Sequence, residues 1–283
     1  MLFVCYSGVA GFPAGPVSAA GLSISVSTGT PALGEPLVVE VTAPGPLDNL
    51  ALVWIGASWP VRETAPGKYV GVIGVDLLAA AGNETLAAEG WSGGERHRVE
   101  AVLAVADRIF PVQNLSLPKK MAEFDPPTLR RIEAEGRDLE ERFSRVTPPL
   151  WSLPFLPPVA SFRPENFGSR RVINAEPRMP HAAVDVRLPE GTPVHSIAEG
   201  VVVFAGDRFF GGLSVVLDHG GGVFSVNYHL KEFTVSEGER VARGARIGAV
   251  GSTGRATGPH LHFGVRVPGG RIDPASLFAL PAR

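Results

Sequence analysis

The sequence is poor in several residue types, and each scarcity excludes a class of protein. Cys5 is the only cysteine among the 283 residues, which excludes an internal disulfide and a cysteine-ligated zinc site. Lysine and arginine (26) nearly balance aspartate and glutamate (28), and this charge is too even to indicate a nucleic-acid partner. Beyond the first residues, no stretch is long and apolar enough to span a membrane.

The first twenty residues are apolar and end in small side chains. They close on Val17-Ser18-Ala19-Ala20, which resembles the cleavage site of a signal peptide. The basic start of such a peptide is missing, because no lysine or arginine precedes Arg62. We interpret residues 1–20 as a signal peptide or a disordered tail. A lipid anchor at Cys5 is disfavoured, since no small residue stands in the three positions before it.

Glycine (34) and proline (26) are abundant, and they punctuate short apolar or alternating runs. Between residues 22 and 118 these runs are Val38–Thr42, Leu50–Ile55, Lys68–Val75 and Arg96–Val105. Regular short strands separated by Gly/Pro turns are typical of a β-sandwich. We therefore predict an immunoglobulin-like β-sandwich over residues 22–118.

Residues 119–158 change character and predict a connector. Apolar residues recur every three or four positions, which marks one face of a helix. Asp125 before Pro126 predicts the helix start, and Thr147-Pro148-Pro149 its end. The stripe is short, so a helix packed on its own protein is favoured over a coiled coil, with a Pro-rich linker over 148–158. The apolar positions are Leu129, Ile132, Gly136, Leu139, Phe143 and Val146.

From residue 159 to 283, glycines again separate short β runs, which predicts an antiparallel β domain with little helix. The fold class is therefore mainly β. Most of the residues suited to chemistry fall in this part. In an extended strand, side chains two or four positions apart face the same way. His181 and Asp185 could thus share one face, as could His260 and His262, and two such strands would bring all four together.

This residue set suits a divalent metal. A catalytic zinc needs three protein ligands and one open position, and His181, Asp185 and one of His260 and His262 supply them. The remaining histidine of that pair, together with His229, is then free for proton transfer or for stabilising an oxyanion. A non-haem iron site also uses two histidines and a carboxylate, but the two additional histidines fit water activation better.

The whole pattern, over roughly residues 155–280, resembles the M23 (lysostaphin/LytM-type) zinc metallopeptidases. The family signature is His-x3-Asp followed much later by His-x-His. Supporting matches are Gly191-Thr-Pro-Val194, Gly200-x-Val202, His219, His229-Leu230, the glycine-rich run from Gly238 to Gly248, and Gly251-x-Thr253-Gly254-x-x-Thr257-Gly258-Pro259-His260-Leu261-His262-Phe263.

The resemblance implies that His181, Asp185 and His262 bind one zinc ion and that His229 and His260 form the catalytic pair. It further implies a metalloendopeptidase that hydrolyses peptide cross-links of peptidoglycan, in the periplasm or after secretion. A cross-link of D-alanine and diaminopimelate is favoured over a glycine bridge. We expect a monomer that contacts peptidoglycan peptides and could meet an envelope or membrane protein.

Two residues depart from the family pattern. Ala183 stands where glycine is common, and this is expected to narrow the backbone near the metal. Asn227-Tyr228 stands where Tyr-Ala is common, and strand alternation then predicts that no aromatic ring shares the face of His229. Both changes bear on substrate preference rather than on the ligands.

Several other residues of this part have roles that the sequence predicts less specifically. We expect His219 to be structural and His195 to lie on a surface strand. Arg170-Arg171 and Phe209-Phe210 are candidates for the rim of the groove.

Two other functions share features with this sequence. A catalytically weak or inactive module that binds cell wall or activates another hydrolase is the alternative, although every ligand is present. A biotinyl or lipoyl carrier is rejected, because Lys231 does not lie at a hairpin tip.

Overall fold

A computed structural model describes residues 17–19, 21–116, 118 and 123–282. Within them are 21 strands and two helices. The strands are β1 Val17–Ala19, β2 Leu22–Val26, β3 Pro36–Thr42, β4 Asp48–Trp54, β5 Ala57–Pro60, β6 Arg62–Ala65, β7 Lys68–Gly74, β8 Gly82–Ser92, β9 Glu95–Val105, β10 Val112–Leu115, β11 Arg170–Ile173, β12 Glu176–Pro177, β13 Val184–Arg187, β14 Pro193–His195, β15 Gly200–Arg208, β16 Gly212–Asp218, β17 Phe224–Phe233, β18 Arg240–Val241, β19 Arg246–Val250, β20 His260–Val267 and β21 Gly270–Ile272. The helices are α1 Pro126–Phe143 and α2 Pro274–Phe278.

The prediction of a mainly β chain is confirmed. The N-terminal strands form a five-stranded sheet, in the order β1-β2-β3-β7-β6, and a four-stranded sheet, in the order β5-β4-β8-β9. Neighbouring strands in both sheets run antiparallel. Alternate residues of each sheet enter one apolar core, with Ile24 and Val39 from the first and Leu52 and Leu103 from the second. Of the predicted signal peptide or tail, only β1 lies within the described residues.

Helix α1 begins where the sequence predicts. The Asp125 side chain accepts a hydrogen bond from the backbone N–H of Thr128, and Pro126 opens the first turn. The predicted apolar face, however, is not deeply buried: no residue of α1 is buried, and Leu129 is 45% exposed.

Charged groups help to hold α1 to the C-terminal β strands. Arg142 contacts Asp138 within the helix at 2.9 Å and Glu237 of the sheet domain at 2.6 Å. Arg208, projecting from β15, reaches Asp138 at 3.1 Å and donates to the carbonyl of Glu135. The helix therefore packs on its own protein, as predicted, but through arginines as much as through its apolar side chains.

The C-terminal strands form a nine-stranded antiparallel sheet around the order β13-β20-β17-β16-β15-β18, with β14, β19 and β21 paired off this path. Its central strands are buried and apolar, and they end in the glycine turns predicted from the sequence. β20 lies between β13 and β17. This central position places the His-x-His segment beside two neighbouring strands.

Contacts between the N-terminal and C-terminal parts are direct. Asp76 accepts hydrogen bonds from the backbone N–H, Nε and Nη2 of Arg271 at 2.8, 2.9 and 2.7 Å. β10 pairs with β11 in parallel, and β12 completes a three-stranded sheet. The sequence did not predict this pairing across the connector. The boundaries at 118 and 158 stay predictions. None of the helices in the described ranges is long and apolar enough to cross a membrane.

Candidate metal centre

Three side chains of the site stand in one row across three strands. In the antiparallel registers, His262 of β20 lies opposite Asp185 of β13 on one side and Tyr228 of β17 on the other. His260 is two positions from His262 and lines the same cavity. The predicted common face of the two histidines is thus confirmed.

His181 reaches the site from a loop rather than from a strand. β13 begins only at Val184, so the expectation of one extended strand over 181–185 is wrong. Two contacts fix the loop instead: His181 N donates to the Ser169 carbonyl at 3.0 Å, and His181 Nδ1 lies 3.1 Å from the Asn166 carbonyl. Because a carbonyl only accepts, Nδ1 carries the proton and Nε2 keeps its lone pair.

The donor atoms of His181, Asp185 and His262 converge. His181 Nε2 lies 3.1 Å from His262 Nδ1 and 3.3 Å from Asp185 Oδ1. His262 Nδ1 and Asp185 Oδ1 are 2.9 Å apart. Around a tetrahedral zinc with bonds of about 2.0–2.1 Å, neighbouring ligand atoms are about 3.3 Å apart. Lone pairs crowded at this spacing repel unless a cation or a proton lies between them. The trio therefore fits a divalent metal.

The electrostatics of the trio favour deprotonated ligands. Burial raises the pKa of Asp185, but the neighbouring imidazoles of His181 and His262 outweigh it and hold that pKa well below its usual range. Burial lowers the pKa of His262 to about 4. At neutral pH the site thus offers a carboxylate and an uncharged imidazole, which are the forms that bind metal.

A bulge in β17 sets the position of His229. Between Asn227 and Leu230, β17 carries one residue more than its partner β16, and His229 takes the left-handed backbone conformation, with φ of 60°. Its N–H donates to the Gly211 carbonyl at 2.7 Å, and Nδ1 donates to the Thr253 carbonyl at 2.8 Å. Its Nε2 is left for the site.

The two histidines outside the trio pair with each other. The ring of His229 lies 4.6 Å from that of His260 and 5.7 Å from that of His262. His260 Nδ1 donates to the Gly258 carbonyl at 2.9 Å, and its Nε2 lies 3.7 Å from Asp185 Oδ1. Burial, and then the charge of His262, lower the pKa of His229 to about 4. His229 is therefore an uncharged base at neutral pH.

The chain is similar to known proteins in both sequence and structure. Residues 179–274 match the family model described as peptidase family M23. A solved structure named as a peptidase M23 of Pseudomonas aeruginosa is 30% identical and superposes with a TM-score of 0.67, over 88% of this chain and 95% of that one. The chain belongs to peptidase family M23.

Two curated relatives match part of the chain. DD-carboxypeptidase/endopeptidase Mpg of Neisseria meningitidis is 45% identical over 101 residues, which is 36% of this chain and 23% of that protein. Peptidoglycan DD-endopeptidase ShyA of Vibrio cholerae is 42% identical over 109 residues, which is 38% of this chain and 25% of that protein. The matched region spans about a quarter of the length of each relative.

The bulge overturns one expectation drawn from the M23 pattern. Tyr228 is not lost from the face of His229: its ring stacks on His262 at 5.5 Å with an interplanar angle of 7°, and it lines the same cavity as His229. Asn227 instead points into the sheet, where Nδ2 lies 3.4 Å from the Val215 carbonyl. Strand alternation fails here because the bulge turns two consecutive side chains towards the site.

Only some of the predicted rim residues line the groove. Arg171 and Phe210 line the cavity of the metal centre, as predicted. Arg170 faces a different cavity, between the two parts of the chain. Phe209 packs against Phe124. One residue of each predicted pair therefore faces the M23 groove.

Two further histidines, His195 and His219, are not part of the centre. His219 is buried, with Nδ1 3.0 Å from the Glu199 carbonyl and Nε2 2.9 Å from Ser225 Oγ. It is structural, as predicted, and burial lowers its pKa to about 4. His195 is partly exposed in β14, away from the groove.

Sequence reasoning missed several groups that the fold brings to the site. Asn166 orients His181, and Thr253, seen only as part of a motif, orients His229. Gln113 and Arg255 line the cavity from distant segments. Asn166, Thr253 and Arg255 had a local signal, since each stands close to a glycine in a turn; Gln113 had none.

Proposed function

We propose that this chain is a zinc-dependent endopeptidase that hydrolyses peptide cross-links of bacterial peptidoglycan in the cell envelope. One observation carries the proposal: the donor atoms of His181, Asp185 and His262 converge within 4.8 Å, beside two further imidazoles that are not needed as ligands. A site for metal storage or structure has no use for such a pair. Water activation does.

Membership in a peptidase family supports peptide hydrolysis, and the relatives support the substrate. The relative from Vibrio cholerae is named a peptidoglycan DD-endopeptidase, and the one from Neisseria meningitidis a DD-carboxypeptidase/endopeptidase. The similarity to each covers more than a third of this chain, and the family match over residues 179–274 contains all five site residues. We extend the substrate class, and with it a location where peptidoglycan is found, to this chain.

In the proposed mechanism, His181, Asp185 and His262 would hold the zinc ion. When bound, zinc lowers the pKa of water towards about 7 and polarises a carbonyl. His229 is uncharged at neutral pH, so its Nε2 can take a proton from the attacking water. The Thr253 carbonyl holds the opposite ring nitrogen as donor and fixes this tautomer.

His260 completes the reaction from the neighbouring position. Its Nδ1 is held as a donor by the Gly258 carbonyl, so Nε2 faces the centre with its lone pair or, when protonated, with a second donor. In the protonated form it can donate to the oxyanion that develops on the scissile carbonyl, and it can pass a proton to the leaving amine. The close ring contact with His229 lets the two histidines serve the same reacting group.

Purified sacculi test the proposal directly. We expect release of soluble peptides by the wild-type protein, loss of release with a chelator, and recovery when zinc is restored. His181→Ala and His229→Ala should both be inactive. His195→Ala is the matched control, because His195 lies outside the groove, and it should keep full activity. Retained hydrolysis in either site variant would refute the assignment.

Metal analysis separates this function from the alternative of an inactive wall-binding module. The purified chain should contain one zinc per molecule, and His181→Ala much less. A wild-type chain that takes up no metal would support the inactive module. A chain that holds iron instead would indicate a different chemistry.

A further inference from the structure

A second polar site adjoins the metal centre. It lies in a cavity of about 360 Å³, one wall of which is the inner face of the β10–β11 pair. Gln113 and Arg171 are paired across these two strands, so their side chains project from the same face of the small sheet. Phe210 and Arg255 line the same cavity. These four residues are distinct from the metal ligands Asp185 and His262, which line another part of the same cavity.

Two buried polar atoms in this cavity lack a hydrogen-bond partner among the described residues. They are Gln113 Oε1, an acceptor, and Arg171 Nε, a donor. A buried polar group without a partner destabilises the folded chain, and such groups are rare unless a ligand or water completes them. The two residues are cross-strand neighbours, and an acceptor and a donor match the N–H and the oxygens of a peptide.

Positive charge is concentrated at the same place. The Arg255 guanidinium stacks over the Phe210 ring at 4.2 Å, which holds it flat against the wall. Burial, followed by repulsion from Arg171 and Arg178, lowers the pKa of Arg255. Arg171 Nη2 contacts Asp185 Oδ2 at 3.4 Å, but Oδ1 of that carboxylate faces the histidines. A bound anion would relieve the repulsion between the arginines.

The cavity on the other side of the centre has a different character. It measures about 430 Å³ and is lined by Leu188, Pro189 and Pro259 together with polar residues that include Asn166 and Thr257. Its one arginine, Arg187, is paired with Glu165 at 3.6 Å. The groove therefore carries more positive charge on the side of Arg171 and Arg255 than on the side of Leu188 and Pro259, which gives a bound peptide a direction.

We propose that Gln113, Arg171 and Arg255 form a carboxylate subsite that binds a peptide carrying a carboxylate on a residue flanking the scissile bond. The inference rests on the proposed function and specifies its substrate class. Arg171 is one contact away from a metal ligand, and an extended chain advances about 3.5 Å per residue. A carboxylate held there therefore lies within about one or two residues of the reacting carbonyl. Gln113 accepts a backbone N–H of the same peptide.

Matched peptides test the subsite. One pair carries a free C-terminal carboxylate or a carboxamide on the residue after the scissile bond. A second pair carries glutamate or glutamine on the residue before it. For the zinc-loaded wild-type protein we expect kcat/KM about tenfold higher for the carboxylate member of one pair. The pair that shows the preference identifies the source of the carboxylate.

Arg255→Gln and Arg171→Gln should reduce this preference to less than about threefold by slowing only the carboxylate peptide. Gln113→Ala should raise KM for both members of the pair. Arg170→Gln is the matched control: it removes the same charge one residue away, on the opposite face of β11, and should keep the preference. Zinc content measured on each variant separates loss of the subsite from loss of metal.

Equal rates for both members of both pairs, or a preference that survives in Arg255→Gln and Arg171→Gln, would overturn the subsite. Failure of the proposed function gives a different result, namely no hydrolysis of either peptide or of sacculi. In that case, peptide binding to the wild-type protein is measured by calorimetry. The carboxylate peptide should still bind about tenfold tighter than its amide. Equal affinities would refute the subsite as well.

Discussion

The Tyr228 ring lies flat against the ring of His262, with the two planes inclined by 7° and their centres 5.5 Å apart. His262 is at the same time the candidate ligand in the middle of the row, between Asp185 and Tyr228. The stacked ring limits rotation of the imidazole and shields one of its faces from water. A residue outside the ligand set thus helps to orient the metal site.

Replacing Tyr228 tests this orientation. We expect Tyr228→Ala to weaken zinc binding by up to about tenfold, because a stacked aromatic pair contributes about 0.5–1.5 kcal/mol. Tyr228→Phe keeps the ring and should bind zinc as the wild-type protein does. Competition against a chromogenic chelator measures both. Unchanged zinc affinity in Tyr228→Ala would show that His262 is oriented without the ring.

His229→Gln separates catalysis from metal binding. The loss of a positioned base should lower kcat by about 10²–10⁴-fold, while zinc content stays at the wild-type level, because His229 is not one of the three converging donors. Hydrolysis assays and metal analysis on the same preparation check both values. A zinc-free His229→Gln protein would instead make His229 a ligand.

Gly254 is predicted to be intolerant of any side chain. Its φ is 69°, and an added Cβ would lie 2.3 Å from the backbone nitrogen of Gly212. Gly254→Ala should therefore lower the free energy of unfolding by about 2 kcal/mol or more, and also activity, because Thr253 next to it holds His229. Gly238→Ala is the control: its φ is 88° but nothing lies within 4 Å, so only the backbone strain, about 1 kcal/mol, should remain. Urea unfolding compares the two, and equal losses would contradict the predicted clash.

His219 predicts a pH dependence of stability. Its folded pKa is about 4, against 6.5 for the unfolded residue. Between these values the unfolded chain binds a proton that the folded chain does not, so the free energy of unfolding falls as pH decreases from about 6.5 to about 4. The full effect is about 3 kcal/mol. Urea unfolding of wild type and His219→Gln at several pH values should give a shallower dependence in the variant. Parallel profiles would contradict the assignment.

Much of the fold and site followed from local pattern. The period of two in β20 places His260 and His262 on one face, and the proline after Asp125 marks the start of α1. These features depend on neighbours a few positions away, and a sequence displays them directly. The same holds for the structural role of His219, which stands at a strand end before a glycine turn.

What the sequence did not predict depends on residues far apart along the chain. The bulge at His229 exists because β17 pairs with a shorter stretch of β16, so the placement of Tyr228 is not local. Likewise, Gln113 meets Arg171 only through the parallel β10–β11 pair. The sequence also did not predict that arginines hold α1 to the rest of the protein, because charged residues at helical spacing are normally solvated.

The β10–β11 pair has a consequence for how this protein could be dissected or recombined. A fragment that begins at residue 155 would leave the Arg170–Ile173 edge without its partner, and an unpaired strand edge invites association with other chains. Low activity or aggregation of such a fragment would then result from the loss of β10 from the small sheet. It would not show that the N-terminal part activates the enzyme. Fusions and domain exchanges should therefore join at a point before Val112. The β10–β11 pair, which forms one wall of the groove, then stays with the strands that carry the metal ligands.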